Sequence, residues 1–174
     1  MKVLIVVDMQ NDFIDGSLGT KEAVEIVNRV AEVMDSFDGA VICTRDTHFA
    51  DYLNTSEGRK LPVEHCIEGT KGHALQDTIQ KMAEKKQAVV MNKITFGAKN
   101  LPEEIEKLAG GVPESIELVG LCTDICVISN AMLLKAFYPE MPISVDASAC
   151  AGVTSQSHKN ALEAMKMCQI LSLI

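Results

Sequence analysis

The sequence predicts an α/β protein of three layers, in which a doubly wound, six-stranded, mostly parallel sheet lies between two layers of helices. Short β-branched runs alternate with helical patterns along the whole chain, which is typical of a parallel sheet with crossover helices. Most of these runs are apolar almost throughout, as expected for strands that are covered on both faces. No linker or repeat interrupts the 174 residues, so a single domain over residues 1–174 is expected.

Six segments are predicted as strands because they are short, apolar and rich in β-branched residues. They are residues 2–7, 40–44, 88–92, 116–119, 143–145 and 170–173. Consecutive parallel strands are expected to be joined by right-handed crossovers.

Five helices are expected between these strands. Residues 22–37 place Val24, Val27, Ala31 and Met34 at helical spacing, and residues 73–83 repeat the pattern. Pro102 is expected in the first turn of the next helix, a position that proline favours. The last two helices are expected to be capped by Thr123 or Asp124 and by Thr154 or Ser155, and to run to about Ala136 and Met167.

The charge and composition exclude several classes of partner. With 16 Lys and Arg against 24 Asp and Glu, the net charge of −8 disfavours nucleic acid and an anionic membrane surface. No apolar run approaches the roughly 20 residues of a membrane-spanning helix. The first apolar run ends at Asp8, too early for a signal peptide, so we expect a cytoplasmic protein whose six cysteines are reduced.

Chemically active side chains follow four of the predicted strands. Asp8 follows the first, Asp46 and His48 the second, Lys93 the third, and Cys126 lies shortly after the fourth. Ligands of open α/β sheets bind beyond the carboxyl ends of the strands. The sequence therefore predicts a site at this edge of the sheet.

Cys126 is the candidate nucleophile of that site. It follows a turn that leads into a helix, where the helix dipole and free N–H groups favour a thiolate. Asp8 can serve as its base and Lys93 as a stabilising charge. Taken singly, each residue could instead have a structural role. Cys126 could be a small buried side chain, Asp8 a turn residue and Lys93 a solvated charge at the end of a strand. Whether the three meet depends on the strand order.

Residues 45–72 form the longest irregular stretch and carry a candidate metal site. Asp46, His48 and His65 would leave coordination positions open, as catalytic metal sites do, and Glu57 is a further candidate ligand. The loose spacing also permits a polar loop whose histidines pair locally. His73 is expected at a helix start.

His158 is expected on a helix surface, with a structural role like that of His73. No G-x-G-x-x-G motif follows the first strand, and no Walker A lysine is present. Cys122 and Cys126 are four residues apart, which is not the C-x-x-C spacing of common redox motifs.

Four segments together resemble the isochorismatase-like cysteine hydrolase family, and within it the nicotinamidase-like branch. They are LIVVDMQNDF at residues 4–13, LPVEHCIEGT at 61–70, NK followed by FGA within 92–98, and GLCTDICV at 120–127. The resemblance implies that Asp8, Lys93 and Cys126 are catalytic and that a thioester forms on Cys126. It also implies that the backbone amides of Cys122 and Cys126 bind the oxyanion, with a cis peptide bond at Leu121–Cys122.

The same resemblance places the metal ligands at Asp46, His48 and His65, with Zn²⁺ as the first choice and Mn²⁺ or Fe²⁺ as alternatives. The metal would anchor a ring nitrogen or a water molecule. The implied reaction is hydrolysis of nicotinamide to nicotinate and ammonia, in NAD salvage. Phe13 would line the substrate pocket, with Phe96 as a candidate second wall beside Phe49 and Tyr52.

Two departures from the family concern the substrate. Thr47 and Ile125 stand where many nicotinamidases carry aromatic residues. A hydrolase of another small amide, carbamoyl or ureido compound is therefore an alternative. Isochorismatases proper lack the nucleophilic cysteine, which argues against that branch.

Two hypotheses from other functional classes are also compatible with the sequence. One is a non-catalytic protein that binds a small ligand on the same fold, and the other is a redox protein that uses Cys122 and Cys126. The chain is expected to form a homo-oligomer.

Overall fold

The computed structural model describes residues 1–173 and contains one six-stranded sheet in the order β3-β2-β1-β4-β5-β6. Every neighbouring pair in this sheet is parallel. The strands are β1 (Lys2–Val7), β2 (Ala40–Asp46), β3 (Val89–Lys93), β4 (Ser115–Leu121), β5 (Ile143–Ala151) and β6 (Leu171–Leu173). The predicted fold class is confirmed.

Seven α-helices accompany the sheet within the described residues. They are α1 (Asn11–Ile14), α2 (Lys21–Ser36), α3 (Ser56–Lys60), α4 (Asp77–Lys85), α5 (Leu101–Ala109), α6 (Ile128–Phe137) and α7 (Ser155–Met167). A 3₁₀ turn at Tyr52–Asn54 and a π-helical turn at Thr123–Val127 complete the helical segments. The sequence prediction missed α1, α3 and the 3₁₀ turn, since such short segments show no periodicity.

Alternation along β1 divides the core between the two faces of the sheet. Val3, Ile5 and Val7 pack with residues of α5, α6 and α7, whereas Leu4 and Val6 pack with residues of α2 and α4. All five side chains are fully buried, which explains why β1 is apolar throughout.

The predicted apolar stripe of α2 is wrong at Val24, which is 50% exposed. The buried face is centred instead on Ala23 and Val30. Successive residues of an α-helix lie about 100° apart around its axis, so Val24 lies well to one side of that face.

The predicted cap of α7 is confirmed, because Thr154 and Ser157 form a reciprocal capping box. The predicted cap before α6 is wrong. The Thr123 hydroxyl pairs with Nδ1 of His158 at 2.7 Å, and the Asp124 carboxylate accepts the Val153 amide at 3.1 Å. Both side chains therefore fasten the π-helical turn to the start of α7 and the segment before it.

The expectation that His73 starts a helix is also wrong, since α4 begins at Asp77. Gln76 caps this helix through its side-chain oxygen, which accepts the amides of Thr78 and Ile79. His73 lies buried before it, with Nε2 2.9 Å from the Thr47 hydroxyl. No helix within residues 1–173 is long and apolar enough to cross a membrane.

Candidate active site and metal centre

The strand order brings the predicted site residues to one edge of the sheet. β1 lies between β2 and β4, so Asp8, directly after β1, is flanked by the ends of both neighbours. Asp46 and Lys93 end β2 and β3 and are paired in register. Cys126 lies in the π-helical turn that follows β4.

Asp8 is held in one orientation by β2 and by Lys93. Its backbone has a positive φ of 47°, a left-handed conformation that aspartate tolerates better than most residues. The Thr44 hydroxyl donates to Oδ1 at 2.6 Å, and Nζ of Lys93 lies 2.7 Å from Oδ2. Asp8 and Lys93 are both buried, so the carboxylate is compensated by a charge rather than by water.

The Lys93 ammonium connects three groups of the site. Besides Asp8, it donates to Oδ1 of Asp46 at 3.1 Å and to Sγ of Cys126 at 3.4 Å. Burial opposes the charge on Lys93, but the negative groups around it outweigh burial and raise its pKa. Lys93 therefore stays an ammonium beside the sulfur.

Burial shifts the pKa of the Cys126 sulfur and that of the Asp8 carboxyl in the same direction. Burial raises the pKa of the Cys126 thiol well above its ordinary value, and the charge of Asp8 raises it further against the opposing effect of Lys93. Burial also raises the pKa of Asp8, although Lys93 lowers it. Raised pKa values of both groups are suited to exchange of one proton between thiol and carboxylate.

The π-helical turn shapes the backbone around Cys126. The carbonyl of Cys122 accepts the amides of Ile125 and Val127, both at 3.1 Å, and the Leu121–Cys122 peptide bond is cis, as the resemblance implied. Backbone N–H groups at the start of a helical segment are available to a ligand oxygen.

Asn130 is a residue of the site that sequence reasoning missed. Its amide nitrogen donates to the carbonyl of Cys126 at 2.8 Å, and its amide oxygen accepts the backbone amide of Ala98 at 2.8 Å. The side chain is fully buried. Asn130 thus joins the Cys126 turn to the segment after β3, and an amide one turn after a candidate nucleophile was the available signal.

Asp46, His48, Glu57 and His65 form one group whose ligand atoms all lie within 4.8 Å of one another. Nε2 of His48 lies 2.9 Å from Oδ2 of Asp46 and 3.7 Å from Oε1 of Glu57. Nε2 of His65 lies 3.7 Å and 3.8 Å from the same two atoms. Ligands at about 2.0–2.2 Å from a common ion have such mutual separations.

The environments of the two imidazoles also fit a divalent cation at this group. Nδ1 of His65 lies 2.8 Å from the carbonyl of Val63, which fixes the tautomer with its lone pair on Nε2. Nε2 of His48 is buried, and its 2.9 Å contact with Oδ2 of Asp46 does not have the geometry of a hydrogen bond. An imidazole nitrogen left in this way beside two carboxylates is suited to a metal ion.

Gln10 is a second site residue that sequence reasoning missed. Its amide group donates to the carbonyls of Asp46 and His73 at 2.8 and 2.9 Å and accepts the Asp46 amide at 2.7 Å. Gln10 is fully buried, and its two hydrogen bonds hold the backbone of Asp46. The signal was a polar residue in the run directly after β1.

A pocket of about 630 Å³ opens above Cys126 and the group of Asp46, Glu57 and His65. Phe13 and Phe96 both line it, and the ring centroid of Phe13 lies 5.5 Å from that of His65. Tyr52 is fully buried behind the two histidines, with ring centroids 4.6 Å from His48 and 5.0 Å from His65. Among residues 1–173, the aromatic side chains that line the pocket are those of Phe13 and Phe96.

The chain is similar in sequence to an isochorismatase family protein and to a nicotinamidase. It is 30% identical over 172 residues to the uncharacterised isochorismatase family protein PncA of Bacillus subtilis, with 92% of each chain covered. It is 31% identical over 123 residues to nicotinamidase of Saccharomyces cerevisiae, a match that covers 53% of this chain and 56% of the yeast protein.

Solved structures resemble the whole fold. The crystal structure of the nicotinamidase/pyrazinamidase PncA of Bacillus subtilis superposes with a TM-score of 0.84 and 26% identity over 99% of each chain. The pyrazinamidase of Pyrococcus horikoshii in complex with zinc gives 0.78 and 26%, over 99% of this chain and 98% of that one. The isochorismatase domain model matches residues 2–173, and the chain belongs to the isochorismatase family.

Proposed function

We propose that this chain is a metal-containing cysteine amidohydrolase that converts nicotinamide to nicotinate and ammonia. The observation that carries the proposal is the Lys93 ammonium, which contacts both the Asp8 carboxylate and the sulfur of Cys126, a residue that lines the pocket. The relatives named nicotinamidase support an amidohydrolase acting on a C–N amide bond.

In the first half of the reaction, Asp8 takes the proton of the Cys126 thiol, and Lys93 stabilises the thiolate. The sulfur attacks the amide carbon and forms a C–S bond. The oxyanion is bound by the backbone amides of Cys122 and Cys126. Asp8 then returns its proton to the amide nitrogen, the C–N bond breaks, and ammonia leaves a thioester on Cys126.

In the second half, Asp8 takes a proton from a water molecule as its oxygen attacks the thioester carbon. The C–S bond breaks, and the proton held by Asp8 returns to the sulfur. The nicotinic acid that is released gives its remaining proton to ammonia or to solvent and becomes nicotinate. Lys93 keeps its charge throughout, because the two carboxylates and the sulfur around it raise its pKa.

Asp46, His48 and His65 would hold the divalent metal, with Glu57 as a fourth ligand from α3. When bound, the metal would supply an anchoring charge for a ring nitrogen or a water molecule, and Zn²⁺ is our first choice. The support for zinc is the donor set of two imidazoles and two carboxylates, together with the zinc complex of the Pyrococcus horikoshii pyrazinamidase.

Phe13 and Phe96 would bind the pyridine ring within the pocket.

Exposed apolar side chains near the C-terminal end, such as Met167 and Leu171, support a homo-oligomer. The six cysteines are all free, as expected for a cytoplasmic protein. The helices on both faces of one sheet support a single domain.

The first test is release of ammonia from nicotinamide by the purified protein, before and after the metal is stripped and restored. Release that depends on the metal would support both the substrate and the metal site. No release by metal-loaded protein would contradict nicotinamide as the substrate. Release from a carbamoyl or ureido compound instead would favour the alternative hydrolase, and no release from any amide would favour a binding protein.

A further inference from the structure

Asp12 lies in the run after β1, between residues that the site already uses, and its side chain is turned toward the metal-ligating group. Oδ2 of Asp12 accepts the backbone amide of Cys66 at 2.7 Å. Cys66 directly follows His65, so a carboxylate of α1 binds the backbone at the base of a candidate metal ligand. A hydrogen bond from an amide to a carboxylate is stronger than one between neutral groups.

Cys66 also links His65 to His48. Its carbonyl accepts the amide of His48 at 3.0 Å, and the carbonyl of His48 in turn accepts the amide of Glu68 at 2.9 Å. The two candidate histidine ligands are thus joined through the backbone of one residue. A shift of Cys66 would therefore disturb the backbone that carries both imidazoles.

The backbone of Cys66 is in a conformation that needs external support. Its φ is +48°, in the left-handed region that L-residues other than glycine rarely adopt. Such a conformation persists only where the surroundings hold it. Two hydrogen bonds supply that support: the Cys66 amide donates to the Asp12 carboxylate, and the Cys66 carbonyl accepts the His48 amide.

Asp12 is itself anchored on the other side of this loop. Its amide donates to the carbonyl of Gly72 at 3.1 Å, and a Cβ at position 72 would overlap the Asp12 carboxylate. The side chain of Phe13, the next residue, packs on the His65 ring. The start of α1 therefore makes three contacts with the loop that carries His65: Asp12 to Cys66, Asp12 to Gly72 and Phe13 to His65.

We propose that Asp12 is a positioning residue for the metal centre, holding the Cys66 backbone so that His48 and His65 face a common ion. The inference rests on the proposed metal site but not on the identity of the substrate. Loss of Asp12 is expected to weaken metal binding by about 10- to 100-fold, the range found when groups that orient metal ligands are removed.

The test is the affinity for Zn²⁺, measured by competition with a chromophoric chelator, for the wild type and four variants. Asp12→Ala removes the acceptor, and Asp12→Asn keeps an oxygen that accepts the Cys66 amide more weakly. Gly72→Ala displaces the carboxylate without removing it. Asp15→Ala, which removes an exposed carboxylate three residues further along, is the matched control.

The expected order of Zn²⁺ affinity is wild type and Asp15→Ala, then Asp12→Asn, then Asp12→Ala, with Gly72→Ala also weakened. The unfolding midpoint of each metal-free variant is measured alongside. If Asp12→Ala fails to fold, Asp12→Asn and Gly72→Ala decide the question. Equal affinity in wild type and folded Asp12 variants would overturn this inference alone. A wild type that binds no Zn²⁺ would overturn it together with the metal site, whereas lack of nicotinamide turnover with intact Zn²⁺ binding would affect only the proposed substrate.

Discussion

The Lys93 ammonium lies 2.7 Å from the Asp8 carboxylate, and both side chains are 1% exposed or less. Two opposite charges in a dry environment each depend on the other, because neither has water to replace its partner. The contact also fixes the direction of the ammonium, which reaches Asp46 and Cys126 from the same position. The same contact would therefore matter both for the stability of the protein and for the proposed chemistry.

Replacing Lys93 by Met should destabilise the protein by about 3–5 kcal/mol, since it leaves the Asp8 carboxylate buried without its partner. The double variant Asp8→Asn with Lys93→Met should recover part of this loss. The measurement is chemical denaturation of the wild type, both single variants and the double variant. Additive effects of the two substitutions would show that the pair is not coupled.

Cys126→Ala should lower ammonia release by several orders of magnitude and leave the fold intact, because the group that forms the thioester is lost. The exposed Cys168 offers a matched control, and Cys168→Ala should keep full activity. Turnover and the circular dichroism spectrum of both variants check this expectation. Substantial activity in Cys126→Ala would exclude the covalent route.

Zn²⁺ should raise the melting temperature of the metal-free protein, since a ligand of the native state stabilises it by about 2.7 kcal/mol at 100 times its dissociation constant. His65→Ala should abolish this shift, and Glu57→Gln should reduce it. Thermal melts over a series of Zn²⁺ concentrations measure the effect. A shift in Glu57→Gln equal to that of the wild type would remove Glu57 from the ligand set.

Phe13→Leu should raise the KM for nicotinamide about threefold to tenfold with a smaller change in kcat, because stacking of two aromatic rings contributes about 0.5–1.5 kcal/mol. Steady-state kinetics of Phe13→Leu and Phe96→Leu separate the two walls of the pocket. An unchanged KM in both variants would mean that neither ring binds the substrate.

Glu117 supplies a test of stability against pH, away from the active site. Burial and the neighbouring Asp146 raise the pKa of this half-buried carboxyl above its ordinary value. Its folded form holds the proton more tightly, so the stabilisation is complete below the unfolded pKa and is lost as the pH rises through the folded pKa.

Glu117→Gln should therefore be more stable than the wild type at pH 7, by less than about 1 kcal/mol because the group is partly solvated. The difference should shrink as the pH falls toward 4. Urea denaturation at several pH values measures it. A difference that stays constant over this range would show that ionisation of Glu117 is not its cause.

The sequence alone determined the elements of the fold and the chemical types at the strand ends. Continuous apolar runs such as residues 3–7 can be buried only in a sheet that is covered on both faces, and the strand-end residues follow from where those runs stop. The bounds of β1 were predicted without error, and α7 begins and is capped where expected. These features depend on local periodicity and on caps, which neighbouring residues specify.

The tertiary structure decided which of those residues meet. The order β3-β2-β1-β4 places Asp8 beside both Lys93 and the Cys126 turn, and no local pattern specifies that order. Gln10, Asp12 and Asn130 likewise act through hydrogen bonds to backbone that is distant in sequence. Their partners are Asp46, Cys66 and Ala98 respectively, and each lies 32 or more residues away. Such contacts arise from packing of the whole chain, whereas hydrophobic periodicity and capping act within a few residues.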